Sequence, residues 1–102
     1  MHFSRIDGDH VTVLRVEGEL DANTAPELRP TLDQIVADRR RRVTVDLSGL
    51  RLIDSSGVGA LVSLYKRVRA QGGNVHVEGA SDQPLAIFRL LRLDAVFGAA
   101  AV

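Results

Sequence analysis

With 102 residues, 45% of them hydrophobic, the chain suits one compact domain around one modest core, and this composition argues against global disorder. Lys+Arg and Asp+Glu balance at 13 each, so net charge gives no general pull toward nucleic acid or an anionic membrane. Cysteine is absent, which removes disulfides and thiolate metal sites, and no apolar run is long enough to span a bilayer.

Two strands open the chain, over Phe3 to Ile6 and His10 to Glu17, with Asp7-Gly8 as the turn pair between them. Gly18-Glu19-Leu20-Asp21 reads as a loop. A helix then starts at Thr24-Ala25-Pro26-Glu27: Thr24 can cap it, Glu27 can reach back, and Pro26 is tolerated in the first turn. Leu28, Leu32, Ile35 and Val36 carry it at helical spacing to about Asp38.

Val43 to Leu47 alternates at period two, as a strand with one buried face does. After Ser48-Gly49 and the apolar Leu50 to Ile53 comes Asp54-Ser55-Ser56-Gly57-Val58-Gly59. From Ser56 to about Ala70, the residues Val58, Leu61, Val62, Tyr65 and Val68 form a helical stripe, stopped by Gln71-Gly72-Gly73. Val75 and Val77 alternate with His76 and Glu78 in a further strand. A last helix spans Asp82 to about Leu91, capped by Asp82 or Ser81, and Val96-Phe97 reads as a short final strand. The tail Gly98 to Val102 is poorer than a regular closing strand. Strand–helix–strand units imply parallel pairing, the opening hairpin makes the sheet mixed, and one-sided alternation places the helices on one face.

Two hydroxyls, Ser55 and Ser56, thus stand at a helix start, where backbone N–H groups lack partners and the dipole favours negative charge. Both can serve as helix caps, and a phosphate at this point would be stabilised by the helix start. Asp54 can cap or form a turn. Gly57 and Gly59 serve helix–sheet packing or leave room for another backbone to approach; the spacing does not choose.

Several pieces together resemble a STAS domain, of the stand-alone bacterial anti-sigma factor antagonist type. They are Gly18-Glu19-Leu20-Asp21 with Thr24-Ala25, Val45-Asp46-Leu47-Ser48, Ile53 to Gly59, Tyr65-Lys66 and Gly72-Gly73. The Asp-Ser-Ser-Gly-x-Gly element is the specific part, and the likeness runs from about residue 5 to 98. The resemblance implies an α/β fold: a single STAS domain over 1–102, with a mixed four- to five-stranded sheet and helices on one face. It also implies a partner-switching cycle. The unphosphorylated domain binds an anti-sigma factor that is also a serine kinase, and a sigma factor is freed. The kinase phosphorylates Ser55, the serine after the aspartate, and the phosphorylated domain lets go until a PP2C-type phosphatase resets it. Asp54 would present Ser55 and touch the partner. Asp21 would line the site, with Ser56, Gly57 and Gly59 beside it. The expected setting is cytoplasmic and bacterial, with the chain a monomer that needs no cofactor.

The physics of such a switch is simple. Phosphorylation adds about −1.5 to −2 charges. A loss of ~2.7 kcal/mol in an interface weakens binding about a hundredfold. Other residues read more plainly. Glu19 is a surface loop acid and Asp46 a strand-end residue. Arg39 to Arg42 reads as a solvated end complementing a helix dipole, not a nucleic-acid contact. His2, His10 and His76 are scattered, so no metal site is read. The last helix is apolar almost all round, and any exposed remainder would suggest a partner or dimer surface. An esterase-like enzyme would need a Gly-x-Ser-x-Gly elbow that is absent. Two rivals to the antagonist remain: a nucleotide-binding module, although no Gly-x-x-x-x-Gly-Lys loop is present, and a STAS subunit of a stress-signalling or lipid-transport assembly.

Overall fold

A computed structural model describes residues 1–97, so the reading of the tail lies outside the described residues. The elements run β1 (His2–Asp7), β2 (Val11–Leu20), α1 (Ala25–Ala37), β3 (Arg42–Asp46), β4 (Leu50–Ile53), α2 (Ser55–Ala70), β5 (Asn74–Glu78), α3 (Asp82–Leu90) and α4 (Leu93–Phe97). β1 is antiparallel to β2; β2 pairs β3 in parallel, and β3 pairs β5 in parallel.

Period-two alternation decides which face is covered. Leu14 and Val16 of β2, Val43 and Val45 of β3, and Val75 and Val77 of β5 are all buried on one face. Their neighbours Arg15, Arg42, Asn74, His76 and Glu78 stand exposed on the other. The helices supply the cover through Leu28, Leu32 and Ile35 of α1, Leu61, Leu64 and Val68 of α2, and Phe88 of α3. Among the described residues, no helix is long and apolar enough to cross a membrane.

Two elements depart from the local reading. Gly18–Leu20 is not a loop: β2 continues through a register shift at Gly18/Glu19 and pairs Leu20 with Ile53 of β4. The first half of β2 therefore holds β3 and its second half holds β4, which makes the sheet five-stranded. Leu50 to Ile53 has the β-branched and leucine content of a strand, but only its partner on β2 reveals it. Val96-Phe97 is not a strand. It closes α4, because Phe97 inserts edge-to-face between Tyr65 and Phe88, with ring centroids at 5.4 and 6.1 Å. Burial of that ring, 2% exposed, outweighs the local β-propensity of Val-Phe.

The first helix is also capped differently. Thr24 precedes α1 but makes no side-chain cap bond. Its hydroxyl instead accepts from the Asp21 N–H at 2.9 Å and donates to the Glu19 carbonyl at 2.9 Å. It braces the turn that leads from β2 into α1.

Candidate functional site

The C-terminal ends of β2 and β4 lie side by side and deliver two loops to one point. Ile53 ends β4; Asp54 follows and α2 begins at Ser55. Asp54, not either serine, caps that helix: its Oδ1 accepts from the N–H of Ser56 at 2.9 Å and of Gly57 at 3.1 Å. Its other oxygen, Oδ2, accepts from the Ala22 N–H at 3.1 Å. One carboxylate thus fixes the start of α2 and ties it to the loop after β2. The Asp54 N–H donates to the Leu20 carbonyl at 3.2 Å, which doubles the tie. An aspartate is well suited here because it offers two acceptor oxygens where serine offers one hydroxyl.

This arrangement corrects the capping role read for Ser55 and Ser56. Ser55 occupies the first helical position and is exposed, while Ser56 is half-buried. It also corrects the idea that the helix start awaits an anion. The amides of Ser56 and Gly57 are taken by Asp54 Oδ1, and that of Val58 by the Asp54 carbonyl at 2.9 Å. A phosphate on Ser55 would find those donors occupied and a carboxylate beside them.

Asp21 lies in the neighbouring loop, and the Asp54–Ala22 bond brings that loop to the site. Asp21 Oδ1 is turned back on its own turn, accepting from the N–H of Asn23 at 2.9 Å and of Thr24 at 3.0 Å. Its visible work is to shape the loop that touches Asp54. Glu19, exposed, lies 3.9 Å from Arg51 across the β2–β4 pair. Asp46, at the end of β3, accepts from the Ser48 N–H at 2.9 Å, and that bond holds its carboxyl below the usual carboxylate range.

The two glycines of the motif separate cleanly. Gly57 is buried, and a Cβ there would meet the Leu20 carbonyl at 2.6 Å and Ile53 Cγ1 at 2.8 Å. It lets α2 lie against the β2–β4 corner. A Cβ on Gly59 would meet nothing within 4 Å, and the residue is exposed. No packing among the described residues requires it. Gly59 and Ser56 line an open groove of about 410 Å³ between α1 and α2, beside Arg29 and Arg67. Arg67 spans the groove to Asp33 at 2.8 Å.

Gln83 escaped the reading of the sequence. From the second residue of α3 its Oε1 accepts the Ile53 N–H and its Nε2 donates to the Ile53 carbonyl, both at 2.9 Å. The amide replaces a strand neighbour at the edge of β4 and steadies the residue just before Asp54. No sequence signal marks it, since its partner lies 30 positions away. Ala22 was missed for a related reason: it acts through its backbone N–H alone.

Comparison with known proteins gives this geometry its context. A family model described as "Mlab, STAS domain" matches residues 5–98. An anti-sigma F factor antagonist of Paenibacillus polymyxa is 31% identical over 88 residues, covering 85% of this chain and 73% of that protein. The crystal structure of an anti-sigma factor antagonist from Mycobacterium paratuberculosis superposes with a TM-score of 0.86 at 29% identity, over 95% of this chain and 82% of that one. The Bacillus cell fate determinant SpoIIAA in its phosphorylated form has the same fold, with a TM-score of 0.76 at 21% identity, over 92% of this chain and 86% of that one.

Proposed function

We propose, since the chain belongs to the STAS domain family, that it is an anti-sigma factor antagonist whose binding is switched off by phosphorylation of Ser55. The observation that supports this most is the division of labour at the start of α2. Asp54 does all the side-chain capping, which leaves the adjoining Ser55 hydroxyl exposed and without a structural task among the described residues. An exposed hydroxyl on a rigid helix start is easily presented to a kinase.

In the unphosphorylated state, the partner docks on the Ser55 corner and the loop of Asp21 and Ala22. Bare Gly59 allows its backbone to come close. The partner is an anti-sigma factor that is itself a serine kinase. Ser55 Oγ attacks the γ-phosphorus of ATP held by that kinase, the bond to the β-phosphate oxygen breaks, ADP leaves, and the hydroxyl proton passes to a base of the kinase. The product carries about −1.5 to −2 charges. Asp54 already occupies the Ser56 and Gly57 amides, so this charge is poorly compensated within the domain and must be borne by the interface. Desolvating it there, next to a carboxylate, is costly enough to expel the partner. A PP2C-type phosphatase restores the hydroxyl. The domain supplies no catalytic group to either step and acts in the cytoplasm, where sigma factors work.

The decisive experiment is binding of the purified anti-sigma kinase, captured from the source cell, to wild type, Ser55→Ala and Ser55→Asp. Wild type and Ser55→Ala are expected to bind alike, and Ser55→Asp to lose about a hundredfold. With ATP present, mass spectrometry should map the phosphate to Ser55. Equal binding by Ser55→Asp overturns the electrostatic switch. A second reading, a STAS subunit of a larger assembly, is favoured by one observation: Leu90 and Leu91 at the end of α3 are 76% and 52% exposed. Stable capture of one multisubunit complex by all three baits would select it.

A further inference from the structure

The strand that leads into Ser55 is short and held by a strand on one side only. β4 has four residues, and its pairing with β2 is interrupted by the register shift at Gly18/Glu19. Among the described residues it has no strand neighbour on its other side. Where that neighbour would lie, α3 supplies the Gln83 amide, which accepts the Ile53 N–H and donates to the Ile53 carbonyl, both at 2.9 Å. The peptide unit that holds this carbonyl also holds the Asp54 N–H, which donates to the Leu20 carbonyl at 3.2 Å. The Ile53–Asp54 peptide is therefore gripped from both flanks, by β2 on one and by Gln83 on the other. Because the unit is planar, the grip fixes the Asp54 Cα, one residue before Ser55.

The start of α3 is shaped to present this amide rather than to cap the helix. Ser81 stands at the cap position and makes no side-chain cap bond among the described residues. Asp82 takes a φ of 51°, a left-handed backbone that carries a steric cost for any residue with a Cβ. Buried Pro84 follows Gln83, and its ring fixes the backbone of the turn. Farther along, Phe88 is fully buried and meets Phe97 edge to face, which anchors the helix. Backbone strain and a forgone cap thus flank one side chain, and both of its bonds among the described residues run to Ile53.

We propose that Gln83 is a positioning residue for phosphorylation of Ser55, an inference that rests on the reading of Ser55 as the modified residue. In that step Ser55 Oγ bonds the γ-phosphorus of the kinase's ATP, the bond to the bridging oxygen breaks, ADP leaves, and the hydroxyl proton passes to a base of the kinase. The attacking oxygen must lie in line with the phosphorus, and a small misplacement is costly in rate. Ser55 is exposed, so its place relative to the sheet is set by the Asp54 contacts and by the peptide before them. Gln83 acts through Ile53 and Asp54; its bonds reach neither Ser55 nor the loop of Asp21 and Ala22. Releasing the outer flank leaves the docking surface in place and loosens the reacting hydroxyl. The turnover step suffers, and docking does not.

The test is steady-state phosphorylation by the purified anti-sigma kinase at saturating ATP, with wild type, Gln83→Met and Gln83→Glu as substrates, joined to amide hydrogen exchange on each protein alone. Methionine keeps the length of the side chain and loses both bonds; glutamate keeps the acceptor for the Ile53 N–H and loses the donor. Both variants are expected to lower kcat about tenfold with KM within about twofold of wild type. In Gln83→Met the amides of Asp54, Ser56 and Gly57 should exchange about tenfold faster, while those of Val45 and Val77 in the middle of the sheet keep their protection. An undiminished kcat, a change confined to KM, unchanged exchange at Asp54, or faster exchange spread equally to Val45 and Val77 each overturns the proposal. A kinase that leaves wild-type Ser55 unmodified overturns the underlying reading and this proposal with it, whereas a wild-type rate shared by Gln83→Met overturns the proposal alone.

Discussion

At the scale of single residues, the site turns on which side chain answers the helix start. Asp54 satisfies two amides of α2 and one of the β2–α1 loop, so removing its carboxylate unsettles both segments. Asp54→Ala should cost about 0.5–2 kcal/mol of stability in urea unfolding. Ser56→Ala, whose hydroxyl caps nothing, should stay within about 0.5 kcal/mol of wild type. The reverse ranking would mean that the serine caps in solution. Asp54 is at once part of the scaffold and a neighbour of the proposed phosphorylation site, so charge added at Ser55 would act at the surface without first needing to unfold anything.

At the scale of the element, α2 shows packing and access settled by two glycines two positions apart. Gly57 faces the β2–β4 corner, where a methyl group would have to displace the Leu20 carbonyl. Backbone does not yield as a flexible side chain would, so Gly57→Ala should cost about 1–3 kcal/mol. Gly59 faces open space, and Gly59→Ala should gain about 0.5–1 kcal/mol, since alanine loses less entropy in a helix. Thermal or urea unfolding of both variants checks the pair. A protein that forgoes this gain at an exposed helical position is consistent with a partner that needs the room. In that case the stabilised Gly59→Ala should bind its anti-sigma factor more weakly.

At the scale of the whole molecule, the far end of the sheet is held by a chain of polar contacts. Arg5 bonds Asp7 at 3.1 Å and Asp38 at 2.8 Å, and Asp7 also accepts from Thr12. The Thr12 hydroxyl, then Arg5, holds the Asp7 carboxyl below the usual carboxylate range; Gln34, then Arg5, does the same for Asp38. A carboxylate whose folded value is depressed stabilises the fold above its unfolded value and loses that contribution as pH falls through the folded one. Asp7, Asp38 and Asp46 all start from an ordinary value of 3.8. Their contribution should therefore be level from neutrality down to about pH 5 and decline below about pH 4. Urea midpoints measured across that range check it. Thr12→Val, which removes the first support of Asp7, should lower stability at neutral pH and make the decline below about pH 4 shallower.

The sequence by itself determined the order of the main strands and helices, the buried faces of α1, β3 and β5, and the motif around Ser55. These depend on periodicity and on short-range chemistry, which a chain carries wherever it folds. Val43 and Val45 alternate, Leu28, Leu32 and Ile35 recur at helical spacing, and Gly72 ends a helix whatever lies nearby. The tertiary structure alone decided the matters that need a partner distant in sequence. β4 exists as a strand because the second half of β2 lies beside it. Phe97 is helical because Tyr65 and Phe88 receive its ring. Gln83 matters because Ile53 is within reach. The choice among Asp54, Ser55 and Ser56 as cap, and between packing and access for Gly57 and Gly59, was equally closed to local reading. It depends on which atoms of Leu20, Ala22 and Ile53 arrive at the start of α2, and only the folded sheet brings them there.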